Sequence, residues 1–170
     1  MELKGIIREA RLEDAEGIAR VHVVSWQAAY RGIMSDGLLD ALSIPERTAD
    51  WRKRLESPVS RLSFVLEIDD RIEGWVSLGS ARDQDKSAAC GELYGIYLTP
   101  EYWSQKWGTR LYAQAEKILR EQSFTSSVVW VLDANERARR FYEKAGYVPD
   151  GHVTTFGSDL PEMRYEKQLN

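Results

Sequence analysis

Cysteine is what this chain has least of: Cys90 is its one copy in 170 residues. No internal disulfide can form, so a reducing cytoplasm is the expected compartment. Histidine is almost as scarce, with His22 and His152 the two copies. Scattered as they are with Cys90, these side chains lack the spacing of a zinc site, and no structural metal is expected. No apolar run approaches the roughly 18 residues of a membrane span. The opening MELKGIIREARLEDAEG also lacks the basic-then-apolar order of a secretory leader. Positive charge is in deficit, with 23 Lys and Arg against 27 Asp and Glu and a net charge of −4. That balance weighs against a general nucleic-acid coat and suits a cationic amine substrate. Internal repeats, low-complexity tracts and interdomain linkers are absent as well, so residues 1–170 read as a single domain with room for a substantial core.

What is present reads as strands bracketing helices. Ile6-Ile7-Arg8 makes a short first strand, and Glu13-Asp14 puts acid at a helix start, where the dipole favours it. Leu12, Ala15, Ile18, Ala19, His22, Trp26 and Ala29 fall near helical spacing, predicting a long amphipathic helix to about Tyr30 that Arg31-Gly32 ends. A short helix follows around Ser35–Leu42, then a third with Pro45 in its first turn and Trp51 and Leu55 on its apolar side. Leu62–Ile68 and Ile72–Ser80, separated by Asp69-Asp70-Arg71, form a hairpin signal. Val128–Leu132 is continuously apolar, the mark of a strand covered on both faces. A helix over Asn135–Ala145 and a closing strand pair, about Gly151–Thr155 and Met163–Leu169, complete an α/β or α+β layer fold around a mixed sheet.

The stretch Gly91–Gly146 organises the rest. Glu92-Leu93-Tyr94-Gly95-Ile96-Tyr97-Leu98 is rich in aromatic and branched residues and stops at Thr99-Pro100, as a strand end does. From Gly108 onward Leu111, Ala115, Ile118 and Leu119 recur at helical spacing. A polar loop feeding a helix N-terminus can cradle a phosphate or pyrophosphate, because the first N–H groups of a helix lack internal partners. Downstream, Asn135, Ala138, Phe141, Tyr142, Gly146 and Tyr147 follow the pattern Asn-x-x-Ala-x-x-aromatic-Tyr-x-x-x-Gly-aromatic.

Those residues resemble the core of the GNAT superfamily of acyl-CoA-dependent N-acyltransferases. The strand match is Glu92, Leu93, Ile96, Tyr97, Leu98 and Pro100, and the helix match from Asn135 to Tyr147 is the most specific part. The loop departs from the family's Arg/Gln-x-x-Gly-x-Gly/Ala pattern. In the preferred register Trp103, Lys106 and Gly108 align, and Lys106 stands where the first glycine belongs, holding a backbone angle that glycine adopts more cheaply or adding charge near phosphate. The resemblance implies a mixed, splayed sheet of six to seven strands flanked by about four to five helices. It also implies an acyl-pantetheine arm lying in the splay between the strands at 92–98 and 128–132, along strand backbone.

The resemblance implies acetyl-CoA as co-substrate, a small primary amine as acceptor, and direct attack in a ternary complex. Cofactor contacts fall on Ile96, Tyr97 and Leu98 of the strand, on Trp103, Ser104, Gln105, Lys106, Trp107, Gly108 and Thr109 of the loop, and on Asn135 and Tyr142 of the later helix. Tyr142 is the expected acid: a phenol can orient the thioester sulfur and donate to it. Seven helical residues put Asn135 about 10 Å from Tyr142 on one face, with small Ala138 between them. Glu92 is the expected base, since an alkylamine must lose a proton to attack at pH 7; an ordered water is the alternative. Trp26, Tyr30 and Asp36 are candidates for the acceptor site, although the aromatics can equally be core and Trp26 leans that way; His22, on the apolar side of its helix, reads as a satisfied core histidine. A homodimer is the family's frequent habit. A protein or peptide N-terminal acetyltransferase and a non-catalytic acyl-CoA sensor are the rival readings.

Overall fold

The computed structural model describes residues 4–57 and 61–169. In chain order the elements are β1 (Gly5–Glu9), α1 (Ala15–Tyr30), α2 (Asp36–Asp40), α3 (Ile44–Glu56), β2 (Arg61–Ile68), β3 (Arg71–Ser80), β4 (Cys90–Leu98), α4 (Trp107–Glu121), β5 (Ser126–Leu132), α5 (Glu136–Lys144), β6 (Val148–Phe156) and β7 (Leu160–Gln168). Short 3-10 turns, Leu12–Asp14 and Pro100–Tyr102, precede α1 and α4. Hydrogen bonding orders the strands β1-β2-β3-β4-β5-β7-β6 in a seven-stranded sheet, the mixed sheet expected from the sequence.

Packing divides the chain into two compact units, Met1–Ser77 with Gly95–Ala115, and Leu78–Tyr94 with Glu116–Asn170. Their boundaries fall inside β3, β4 and α4 rather than in a linker, so no shift in composition along the sequence marks them.

In the first unit β1 runs antiparallel to β2, from Gly5 opposite Ile68 to Glu9 opposite Phe64. Ile18, Val21, Trp51, Val65 and Trp75 build the core between α1, α3 and the strands. Burying each such side chain stabilises the fold by about 1.5–3 kcal/mol. The β2–β3 hairpin turns on Asp69 and Asp70, both left-handed (φ 48° and 60°), the pairing that a two-residue turn needs to match strand twist. Asp14 does more than favour a helix dipole. Its carboxylate accepts the Arg11 backbone N–H at 2.7 Å and the Arg8 guanidinium at 2.8 and 2.9 Å, so a 3-10 turn precedes α1 and the helix proper begins at Ala15. Ser35 and Ser43 cap α2 and α3 by accepting the N–H of Leu38 and Glu46, each at 3.3 Å, and Pro45 sits in the first turn of α3.

In the second unit β5 is buried along Ser127–Val129 and at Val131 and Leu132, as its apolar run requires. It pairs parallel with β4 from Cys90 opposite Ser126 to Leu93 opposite Val129, where that ladder stops. On its other edge β5 pairs antiparallel with β7 along its whole length, Ser126 opposite Gln168 to Leu132 opposite Glu162. The β6–β7 pair is longer than the sequence suggests and shifts register between Pro149 and Val153, around left-handed Gly151 (φ 90°). Arg164 on β7 is fully covered, yet its guanidinium lies 2.6 Å from both Asp85 and Asp150 and 3.5 Å from Asp83. This buried charge is therefore paired.

Candidate active site

The first unit contains the strand end, loop and helix start singled out in the sequence. β4 leaves the sheet at Leu98, and Thr99 is pinned at once: its N–H donates to the Glu73 carbonyl at 3.0 Å and its hydroxyl to the Glu73 carboxylate at 2.9 Å. Glu73 is itself buried and held by Arg20 at 3.1 Å. The turn Pro100–Tyr102 closes through Tyr102 and Trp103 N–H groups donating to Thr99 and Pro100 carbonyls. The Trp103 indole N–H then reaches back to the Leu98 carbonyl at 2.9 Å, and the Gln105 amide donates to the Glu101 carbonyl at 2.7 Å. Trp103 and Gln105 thus fold the loop onto itself through their side chains.

Ser104 and Lys106 are both left-handed, with φ 60° and 65°. The backbone angle expected at Lys106 is present, and Ser104 carries a second one that the motif does not signal. Each such residue costs roughly 1–2 kcal/mol relative to an ordinary backbone angle. That strain turns the chain sharply into α4, whose hydrogen-bond ladder opens with Arg110 N–H donating to the Lys106 carbonyl at 3.1 Å. The N–H groups of Lys106, Trp107, Gly108 and Thr109 precede that first rung, at the positive end of the helix. Trp107 is buried, so its ring anchors the helix start while the Ser104, Gln105, Lys106 and Thr109 side chains are exposed. The same stretch holds Ile96 and Tyr97, both half-buried. The Tyr97 ring folds over Gly95, where any Cβ would lie 2.7 Å from it.

Tyr97 also gathers the acceptor candidates. Its hydroxyl lies 3.0 Å from that of Tyr30, and its ring is 6.3 Å from Trp26 and 6.2 Å from His22, to which it is parallel. Asp36 does not join them. It pairs at 3.0 Å with Arg31, which also holds Asp40, in an exposed cluster.

The second unit holds Glu92, Asn135 and Tyr142. Glu92 is 1% exposed, and Arg82 occupies both its oxygens: Nη2 at 2.6 Å from Oε1 and the backbone N–H at 3.0 Å from Oε2. The guanidinium also lies over the Tyr94 ring at 4.7 Å, and the Tyr94 hydroxyl donates to the Ser80 carbonyl at 2.7 Å. Glu162 on β7 senses the same pair. Burial pushes its carboxyl up; Arg82 draws it down and Glu92 adds to the rise. Sequence reading passed over Arg82 and Glu162, because Arg82 falls in a polar stretch that looks like a plain connector.

Asn135 is the N-cap of α5 rather than a residue on its face: its Oδ1 accepts the Ala138 N–H at 3.1 Å. The seven-residue helical spacing to Tyr142 therefore does not apply to it, since its backbone (φ −87°, ψ 71°) lies outside the helix. Tyr142 is on the buried side of α5, its ring edge-on to Phe141 at 5.3 Å and to Tyr147 at 5.8 Å. The arginines beside it are engaged: Arg139 with Asp133 at 3.1 Å and the Tyr165 hydroxyl at 3.0 Å, Arg140 with Glu136 at 3.1 Å. Among the described residues no group of three or more His, Cys, Asp or Glu side chains is placed to hold a metal ion, and no helix is long and apolar enough to cross a membrane.

Known proteins share this chain's fold and much of its sequence. A profile described as the acetyltransferase (GNAT) family matches residues 17–147. An uncharacterised N-acetyltransferase of Bacillus subtilis, YuaI, is 36% identical over 76% of this chain and 72% of its own length. The spermidine N(1)-acetyltransferase of Thermoplasma acidophilum is 29% identical over 94% of this chain and 97% of its own. Among solved structures, the PaiA N-acetyltransferase from Thermoplasma acidophilum in complex with coenzyme A superposes with a TM-score of 0.77 at 28% identity, covering 97% of this chain and 99% of that one.

Proposed function

The chain belongs to the GNAT acetyltransferase family, and from that premise we propose that it moves an acetyl group from acetyl-CoA to the primary amine of a small molecule, by direct attack with both reactants bound. It is an N-acetyltransferase with acetyl-CoA as co-substrate and an amine as acceptor. Acetyl-CoA supplies an acyl group activated as a thioester. The observation that carries the reading is the loop from Trp103 to Thr109, in which two left-handed residues present consecutive main-chain N–H groups at the start of α4. Such groups suit a diphosphate, because they point along a helix dipole that favours negative charge. Exposed side chains at Ser104, Gln105, Lys106 and Thr109 fit a site that works through backbone and leaves their identities free.

In this reading Ile96, Tyr97 and Leu98 of β4 offer backbone to the pantetheine amides. The Asn135 side chain keeps its amide nitrogen available after its oxygen has capped α5. The Tyr142 hydroxyl protonates the departing sulfur, and its burial excludes water from that transfer. Glu92 takes the proton that the amine loses, directly or through water, while Arg82 holds the carboxylate in place. Holding both reactants together removes much of the entropic barrier. Cys90 is buried, and burial pushes its thiol up, which does not suit a covalent acyl-enzyme.

The experiment is a panel of amines and N-terminal peptides incubated with acetyl-CoA, read by CoA release and by the mass of the acetylated product. Turnover of small primary amines is the expected outcome. Turnover confined to peptides would move the acceptor to a protein N-terminus. Acetyl-CoA binding without CoA release on any acceptor would leave a sensor module.

A further inference from the structure

Four polar atoms buried among rings in the first unit have no hydrogen-bond partner among the described residues: both imidazole nitrogens of His22 and the indole nitrogens of Trp75 and of Trp51, which packs edge-on to Trp75 at 4.7 Å. A buried polar atom left unpaired is costly, and few folded domains hold several in one place. His22 is 8% exposed and lies among the rings of Trp26, Trp75 and Tyr97, with centroids 5.0, 6.0 and 6.2 Å away. Burial pushes its imidazole down to about 4, with Arg47 and Arg54 of α3 acting in the same direction and Asp50 against. The ring is therefore neutral at pH 7, with one nitrogen donating and the other accepting. Trp26 and Tyr97 are only half-buried, so the cluster reaches the surface along their edges.

We propose that His22, Trp26, Trp75 and Tyr97 form the subsite for the non-reacting end of the acceptor amine, and that this end is a flat, uncharged group carrying a hydroxyl. The proposal rests on the amine-acetylating reading above. Ring faces and edges favour an aromatic body. A hydroxyl is a small uncharged group that can donate to the imidazole lone pair and accept the indole N–H at once, meeting the needs of both His22 and Trp75. A second ammonium suits the site poorly, because Arg47 and Arg54 already bring positive charge to bear on His22 with Asp50 alone opposing them. The acceptor class is therefore a hydroxyaryl-alkylamine rather than a polycation.

Steady-state kinetics with tyramine, phenethylamine and spermidine test this, on the full chain and on His22→Phe and Trp75→Phe. The wild type should prefer tyramine to phenethylamine by at least about tenfold in kcat/KM, since the hydroxyl makes two hydrogen bonds there, with spermidine below both. Either substitution should erase the tyramine preference through KM, tyramine losing about tenfold more than phenethylamine, and His22→Gln, which keeps a donor and an acceptor, should restore part of it. Equal use of tyramine and phenethylamine, a preference for spermidine, or a tyramine preference surviving both substitutions would overturn the subsite and leave the amine-acetylating reading standing. So would a crystal structure with tyramine in which a trapped water bridges His22 and Trp75 and the ligand sits elsewhere. If no amine is acetylated although acetyl-CoA binds, the reading beneath the proposal fails, and the subsite fails with it.

Discussion

Arg82 and Glu92 meet as unequal partners: the arginine side chain is 61% exposed and the glutamate 1%. Losing the exposed partner strands a buried carboxylate, whereas losing the buried partner leaves a guanidinium free to turn to water. Arg82→Gln should therefore lower stability by about 2 kcal/mol, and Glu92→Gln by less than about half of that. Urea unfolding of both variants and of the double variant checks it. The double variant should lie close to Glu92→Gln alone. If Glu92 is the base, Glu92→Gln also lowers kcat/KM by at least about a hundredfold and removes the acidic limb of its pH profile.

Gly108 sits in the first turn of α4, where proline is tolerated, as Pro45 is in α3. Gly108→Pro removes one main-chain donor from the proposed diphosphate cradle. Calorimetric titration should show acetyl-CoA binding weakened about tenfold or more, since a hydrogen bond to a charged group contributes roughly 1.5–3 kcal/mol, with Tm moved by only a few degrees. Unchanged affinity would remove the helix start from the cofactor site.

Tyr142→Phe deletes one hydroxyl and keeps the ring that packs on Phe141 and Tyr147. For a proton donor the loss should fall on kcat, by about a hundredfold, with acetyl-CoA binding and stability nearly unchanged. A variant that turns over several amines at the wild-type rate across pH would return Tyr142 to a packing role.

His22 gives stability a pH dependence of definite sign. Its folded value of about 4 lies below the ordinary 6.5, so between those values the unfolded chain binds the proton more readily. The neutral-pH fold is thus undermined as pH falls from about 6.5 toward about 4, by about 3 kcal/mol in all. His22→Phe should flatten that part of a Tm-versus-pH curve.

Arg164 predicts a second acid transition. Its hydrogen bonds hold the Asp85 carboxyl at about 2, against an ordinary 3.8. A depressed carboxyl contributes stability that is present above 3.8 and disappears as pH drops through about 2. Asp85→Asn should blunt the loss in that window. Arg164→Met, which takes the buried guanidinium away from Asp85 and Asp150, should cost about 3 kcal/mol at neutral pH.

Much of this molecule was legible from its sequence, for reasons that differ by element. The hairpin at Asp69-Asp70 and the buried strand at Val128–Leu132 follow from local turn chemistry and continuous apolarity, both short-range signals. Lys106 was legible because a motif expects glycine where the backbone is left-handed; Ser104 shares that conformation without any pattern to announce it. Arg82, Glu162 and the meeting of His22 with Trp75 and Tyr97 were not legible. Each depends on residues distant in sequence, such as His22 with Trp75 and Tyr97, that only a folded chain assembles. Asn135 was expected as the first residue of its helix and is the cap one position outside it, because a cap and a first-turn residue look alike in sequence.

Gly5, on the first strand, leaves room for the Trp107 ring: a Cβ there would collide with it. The amino-terminal ribbon and the mouth of α4 are thereby coupled, although about a hundred positions separate them along the chain. With the start of α4 as the proposed diphosphate cradle, crowding at position 5, whether from a bulkier side chain or from a fusion that tugs on β1, should be felt first as a drop in acetyl-CoA affinity, before the fold melts.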